Sequence, residues 1–172
     1  MNIKRDNGFT LIEVMAVIII IAALASVAIP RFAASIVSAR QKADVATAHQ
    51  VKSALDRYQI ENGVYPTAGD GVVDGEGEIS IDSGNDGNVV CTNLIPKYIS
   101  KLDASTTQQN VDAGEKGFGL DTLDPDDYSI PDLVEPAAAT NIIMIYLSTD
   151  GLAAEVRAYD ETLKEVLWTS AN

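Results

Sequence analysis

The residue best suited to chemistry in this sequence is Glu13, a carboxylate inside a long apolar run. From Phe9 to Ile29 the other polar side chains are those of Thr10 and Ser26. A charged side chain within a membrane-spanning helix costs about 2.5 to 3.5 kcal/mol and is generally tied to a partner or a function. We therefore expect Glu13 to have a specific role.

The charges near this carboxylate indicate what its partner is. Lys4 and Arg5 are the nearest cations, but they lie too far upstream to make an i,i+4 pair with Glu13. If the chain is cut after Gly8, Phe9 gains a free ammonium group that can meet the carboxylate at the same depth. The alternative is that Glu13 lies at the level of lipid headgroups and favours the positive end of the helix dipole.

The length of the apolar run indicates a membrane helix, because about 20 residues are needed to cross a hydrocarbon core. An ordinary secretory signal peptide is the alternative, since Lys4 and Arg5 precede the run and Ala23–Ala25 offers a small-residue cleavage pattern. The carboxylate near the start of the run, and a helical pattern that continues beyond Pro30, favour the membrane helix.

The stretch Gly8–Glu13, with the letters GFTLIE, is followed by apolar residues to Ile29 and then by Pro30. It resembles the N-terminal signature of type IV prepilins. The resemblance implies that a prepilin peptidase cuts after Gly8, that the new terminal Phe9 is N-methylated, and that Phe9 and Glu13 act in filament assembly. It also implies a helix kink at Pro30.

Beyond Pro30 the sequence predicts an amphipathic helix over residues 35–62. Its apolar residues recur at i, i+3, i+4 and i+7, at Val51, Ala54, Leu55 and Tyr58. Asn62 and Gly63 supply the residues that favour a left-handed helix end. We expect an ion pair between Arg57 and Glu61 on the solvent face.

The C-terminal third carries the strand signals. Asn141–Ser148, Leu152–Tyr159 and Leu163–Thr169 predict a three-stranded antiparallel meander, with Asp150-Gly151 as its first turn. A further strand is expected near Ile79–Ile81 or Val89–Thr92.

The predicted fold class is α+β, with a long N-terminal helix packed against a small antiparallel sheet, as in the pilin fold. The predicted organisation is a leader at 1–8, a transmembrane or filament-core helix at 9–34, the amphipathic helix at 35–62 and a globular head at 63–172. The loop from Thr67 to Asn88 is rich in Gly, Asp and Asn, so we expect it to lie on the surface without a core of its own.

Catalytic chemistry is not indicated, and we expect the protein not to be an enzyme. The single histidine, His49, has no acid and nucleophile set around it in the sequence, so a surface or interface position is expected. Cys91 has no second cysteine to pair with and is expected to be buried. The net charge of -13 argues against nucleic acid as a partner, because phosphate binding needs clustered cations.

Three acidic clusters are the remaining candidates for a bound ion: Asp70–Glu78, Asp82–Asn88 and Asp121–Asp127. Carboxylate oxygens suit calcium, and the resemblance to calcium-binding pseudopilins favours it, but none of the clusters has EF-hand spacing. We expect solvated loops, with no cofactor and no metal site.

The leading functional hypothesis is therefore a structural subunit of a type IV pilus. The long acidic loops between Thr67 and Asp132 favour this hypothesis. The alternative is a pseudopilin of a type II secretion system, which the junction Tyr65-Pro66 and the lack of a paired-cysteine loop favour. A periplasmic enzyme with a signal anchor is disfavoured, because no catalytic set is present.

Either subunit implies the same first partners: membrane lipid before assembly, the prepilin peptidase, an inner-membrane assembly platform and further copies of the chain in a helical filament. The expected location is the inner membrane, with the head in the periplasm. The assembled subunit then lies in an extracellular pilus or, in the alternative, in a periplasmic pseudopilus.

Overall fold

The computed structural model describes residues 9–68, 78–81, 87–130 and 139–171. One long helix, α1, spans Leu11–Asn62 and continues through Pro30 without a break. The chain divides into two compact units, with the boundary between Ser38 and Ala39. The kink predicted at Pro30 stays a prediction.

The first unit contains the beginning of α1. None of the side chains from Leu11 to Ser38 is buried. A window of this helix has a mean hydropathy of 2.8, so α1 is long and apolar enough to cross a membrane by length and composition. The apolar character that predicted a membrane helix is thus carried by one uninterrupted and uncovered helix.

The second unit begins with the rest of α1, which buries one stripe of side chains. The predicted stripe is confirmed, and it extends about two turns further upstream than expected. Its buried residues are Asp44, Ala48, Val51, Ala54, Leu55 and Tyr58. The predicted helix end is also confirmed. Gly63 has a φ of 86°, and its N–H donates to the carbonyl of Gln59 at 2.8 Å.

The main sheet has four strands in the order β4-β5-β6-β7, with β4 at Phe118–Thr122, β5 at Ile143–Leu147, β6 at Ala154–Tyr159 and β7 at Val166–Thr169. The predicted antiparallel meander is confirmed as β5, β6 and β7. The sequence analysis missed β4, which pairs with β5 in parallel, Leu120 opposite Ile145. All five residues of β5 are buried, because β5 is a central strand.

A second, smaller sheet has the order β1-β2-β3 and contains β1 at Thr67–Ala68, β2 at Glu78–Ile81 and β3 at Val89–Val90. The sequence analysis expected one additional strand at either of two places, and the structure has a strand at both, β2 and β3. It also corrects the expectation of a coreless loop from Thr67 to Asn88, because Ile79 is fully buried in the core. The polar composition of the whole segment concealed the short apolar stretch that contributes Ile79.

The core of the second unit lies between the α1 stripe and the sheets. Its largest fully buried side chains include Leu55, Phe118, Tyr146 and Leu94. Cys91 is 3% exposed within the same cluster, which confirms its predicted burial. The fold is therefore the α+β arrangement that the sequence predicted.

Candidate assembly and processing site

The first turn of α1 is closed by Thr10 and Glu13. Because the helix begins at Leu11, Thr10 is its N-cap and Glu13 its third residue. The N–H and the hydroxyl of Thr10 both donate to Oε2 of Glu13, at 3.2 and 3.1 Å. In return, the N–H of Glu13 lies 3.4 Å from the Thr10 hydroxyl oxygen. This reciprocal arrangement is a capping box, which satisfies donors that a helix start leaves unpaired.

The capping box gives Glu13 a partner within its own helix. The sequence analysis weighed the Phe9 ammonium and the helix dipole as partners but did not consider Thr10. The signal was present, since a threonine followed three residues later by glutamate at the start of an apolar run is the pattern of a capping box. Phe9 is 80% exposed beside it, and Gly8 lies outside the described residues.

The apolar side chains that follow the capping box are uncovered. Those with large exposed fractions are Leu11, Ile12, Val14, Met15, Val17, Ile18, Ile19, Ile20, Ile21, Leu24, Val27, Ile29 and Phe32. A contiguous apolar surface of this size is not left open to water, and it marks a site of contact with lipid or with protein. The geometry of the first unit is thus an exposed apolar helix with a capped carboxylate at its start.

In the second unit, Glu61 near the end of α1 has different partners from those predicted. Its Oε2 accepts hydrogen bonds from Lys97 Nζ at 2.9 Å and from the Tyr98 hydroxyl at 2.7 Å. These bonds lower the pKa of Glu61. The predicted Arg57–Glu61 pair is therefore wrong, because a cation from the loop after β3 occupies the carboxylate instead.

Asp44 is a buried carboxylate that the sequence analysis missed. It lies on the apolar stripe of α1 with no exposed surface. Its two oxygens accept the backbone N–H groups of Gln108 at 2.7 Å and Gln109 at 3.0 Å. Burial raises the pKa of this carboxyl, and the two backbone hydrogen bonds oppose the rise. Asp44 thereby attaches the helix to a loop that is distant in sequence.

The remaining candidates from the sequence are His49 and the three acidic clusters. His49 is exposed, as predicted, and its ring centroid lies 4.0 Å from that of Trp168. Within the described ranges, no group of three or more His, Cys, Asp or Glu side chains is placed to hold a metal ion. Most of the clusters Asp70–Glu78 and Asp82–Asn88 lies outside those ranges. In the third cluster, Asp124 and Asp127 accept backbone N–H groups of their own turn.

The N-terminal segment matches a known family model. Residues 3–29 match the family model described as the prokaryotic N-terminal methylation motif. The match covers the capping box, the uncovered apolar helix and the Gly8-Phe9 junction. The predicted resemblance of the N-terminal segment to type IV prepilins is confirmed over these residues.

The chain is also similar to the type II secretion system core protein G of several bacteria. It is 37% identical to the Vibrio cholerae protein over 71 residues, which is 41% of this chain and 49% of that protein. It is 39% identical to the Aeromonas hydrophila protein over 72 residues, which is 42% of this chain and 50% of that protein. The chain spans about half the length of the curated relatives it matches. No solved structure shows significant similarity to it.

Proposed function

We propose that this protein is a pseudopilin, a filament subunit of a type II secretion system. The observation that carries the proposal is the similarity to core protein G, combined with an uncovered apolar helix that begins at a capped carboxylate. These relatives favour the secretion alternative over the leading hypothesis of an extracellular pilus. The role is structural and not enzymatic, and the assembled filament is periplasmic.

The proposed pathway begins with a precursor held in the inner membrane by α1, with the head in the periplasm. A prepilin peptidase removes residues 1–8, and Phe9 is then N-methylated. An assembly platform in the inner membrane passes the subunit from lipid to a filament of identical copies. Apolar packing of the span from Val14 to Ile29 supplies most of the cohesion between subunits.

Glu13 has a specific task in this pathway. In the single chain its charge is stabilised by hydrogen bonds from Thr10 and by the positive end of the helix. In the filament it enters a core of apolar helices, where an unpaired charge is costly. The ammonium of Phe9 on a neighbouring copy then supplies the opposite charge. That pair would fix the axial register of one subunit against the next.

The processing step is tested by mass spectrometry of the mature protein, which should begin at methylated Phe9. A mature terminus near Ser26 would contradict the proposal and indicate an ordinary signal peptide.

The assembly step is tested with Glu13→Gln and Glu13→Ala. Glutamine keeps the side-chain carbonyl oxygen that can accept from Thr10, but it removes the charge, whereas alanine removes both. We expect normal insertion and cleavage but poor filament yield from both variants, measured as sheared filament against cellular subunit level. Ser26→Ala is the matched control, because Ser26 Oγ donates to the Ala23 carbonyl of its own helix and to no other group that the structure describes. Wild-type yield from Glu13→Gln would show that the charge does not pair across subunits.

The choice between secretion and surface piliation is tested by deleting the gene. The proposal predicts that proteins normally released into the medium accumulate in the periplasm. Normal release together with a loss of surface filaments would instead establish a type IV pilus subunit.

A further inference from the structure

A groove of about 530 Å³ lies on the head between α1 and the loop that follows β3. Its polar lining consists of His49, Gln50, Ser53 and Arg57 from the helix, and Tyr98 and Ser100 from the loop. The lining residues include cationic and neutral hydrogen-bonding groups but no carboxylate. In a chain with a net charge of -13, such a surface is suited to an anionic partner.

Arg57 is the charged group of this groove. Its expected partner Glu61 is bound by Lys97. Lys52, Lys97, Lys101 and Arg157 each form an ion pair, whereas the Arg57 side chain forms none with the part of the chain that the structure describes. An arginine presents a planar fork of donors that matches a carboxylate with two parallel hydrogen bonds. The groove therefore has an exposed cation ready for a carboxylate from another molecule.

The acidic turn between β4 and residue 130 offers a carboxylate of the required kind. Asp124 and Asp127 use side-chain oxygens to accept N–H groups of the same turn. Asp126 contributes only its backbone N–H to those bonds, and its exposed carboxylate accepts no hydrogen bond from the described residues. Among the described residues, the head thus carries an unpaired cation in a groove and an unpaired anion on an exposed turn.

We propose that the groove around Arg57 binds the turn at Asp126 of a neighbouring copy of this chain. The proposal rests on the filament proposed above, because it describes how heads contact one another within it. Identical heads of net negative charge repel one another, so close packing requires local contacts of opposite charge. A cationic groove and an acidic turn on the same chain form a head-to-tail contact, which extends along a filament when the rotation between copies does not close.

A charge swap in the full-length protein tests this contact. Arg57→Glu and Asp126→Lys should each lower sheared filament yield at least roughly tenfold, because each places like charges opposite one another. The double variant restores opposite charges and should recover most of the yield. Lys164→Glu is the matched control, since Lys164 is an exposed cation outside the groove, and it should assemble normally. Cellular subunit levels verify that each variant is folded.

A cross-link tests the same contact without relying on charge. In a Cys91→Ala background, Ser100→Cys together with Asp126→Cys should give disulfide-linked ladders of subunits in sheared filaments. Each single cysteine should give no ladder. Ladders from the pair, together with recovery in the charge swap, support the contact.

Two outcomes separate this inference from the proposed function. If the wild-type chain forms filaments and Arg57→Glu forms them with normal yield, the groove contact is overturned. The pseudopilin proposal is unaffected by that result. The contact would also be overturned if Arg57→Glu lowers the filament yield, the double variant does not restore it, and the cysteine pair gives no ladders. That result would point to an acidic secreted protein as the molecule bound in the groove. If the wild-type chain forms no filaments at all, both the groove contact and the pseudopilin proposal are overturned.

Discussion

Replacing Asp44 by asparagine probes the least expected feature of the head. The carboxylate accepts two backbone N–H groups, one on each oxygen. An asparagine of the same shape offers one oxygen and one NH2 group, so one buried N–H faces a donor and loses its partner. An unsatisfied buried donor costs about 1 to 3 kcal/mol. Removing a desolvated charge offsets part of this cost, and we expect a net loss of about 1 to 2 kcal/mol at pH 7.

The assay is urea unfolding of a head fragment that begins at Ser35, followed by circular dichroism. The fragment contains every buried residue of the described ranges, since these residues lie between Asp44 and Leu163. Asp112→Asn is the matched control, because Asp112 lies on the same loop and makes no side-chain capping bond. We expect the control to change the free energy of unfolding by no more than about 0.5 kcal/mol.

The dependence on pH gives a second test with a definite sign. Because burial raises the pKa of Asp44 above its ordinary value of 3.8, the folded state binds the proton more tightly than the unfolded state does. The stability that this group contributes is complete below the unfolded pKa and is lost as the pH rises through the folded pKa. The cost of Asp44→Asn should therefore be smallest at neutral pH and should grow as the pH falls towards 3.8. Equal urea midpoints for variant and wild type at pH 7, or a cost that shrinks on acidification, would refute the reasoning.

Three further substitutions test the fold and the helix start. Leu55→Ala removes a fully buried side chain from the α1 stripe and should cost about 2 to 5 kcal/mol in urea unfolding, and a smaller loss would show a loosely packed stripe. Gly151→Ala places a Cβ 2.9 Å from the Tyr65 carbonyl oxygen at a φ of 72°, so the melting temperature should fall, and an unchanged value would contradict the turn geometry. Thr10→Val removes the capping hydroxyl and should reduce filament yield, whereas Thr10→Ser keeps the hydroxyl and should not; equal yields would show that the capping box is dispensable.

The features that could be predicted from sequence are those encoded by local patterns. The apolar run from Phe9, the stripe around Val51 and Leu55, and the meander after Asn141 each follow from the spacing of apolar residues. The end of α1 follows from Asn62 and Gly63. In each case the residues that decide the structure lie within a few positions of one another.

The features that were missed depend on partners distant in sequence. Strand β4 is a short, partly polar segment that contains Gly119, and its pairing with β5 determines its conformation. Glu61 lies four residues after Arg57, which made a local ion pair the natural expectation. Lys97 binds the Glu61 carboxylate in place of Arg57, because the fold brings the loop after β3 to the end of the helix. No spacing rule within α1 contains that information.

The polar contacts of α1 explain why the second half of the helix has one defined placement in the head. An apolar stripe of Ala, Val and Leu side chains stabilises the packing of the helix but does not select one position for it, since neighbouring registers bury similar apolar surface. Asp44 adds hydrogen bonds with fixed geometry to the loop at Gln108, and Glu61 adds others at Lys97 and Tyr98. These contacts lie near the two ends of the buried stripe, so a shift of the helix by one turn would break both sets at once. In the proposed pathway the first helical half leaves lipid and enters a filament. That step requires such a fixed attachment, because apolar packing alone would not prevent the helix from sliding within the head.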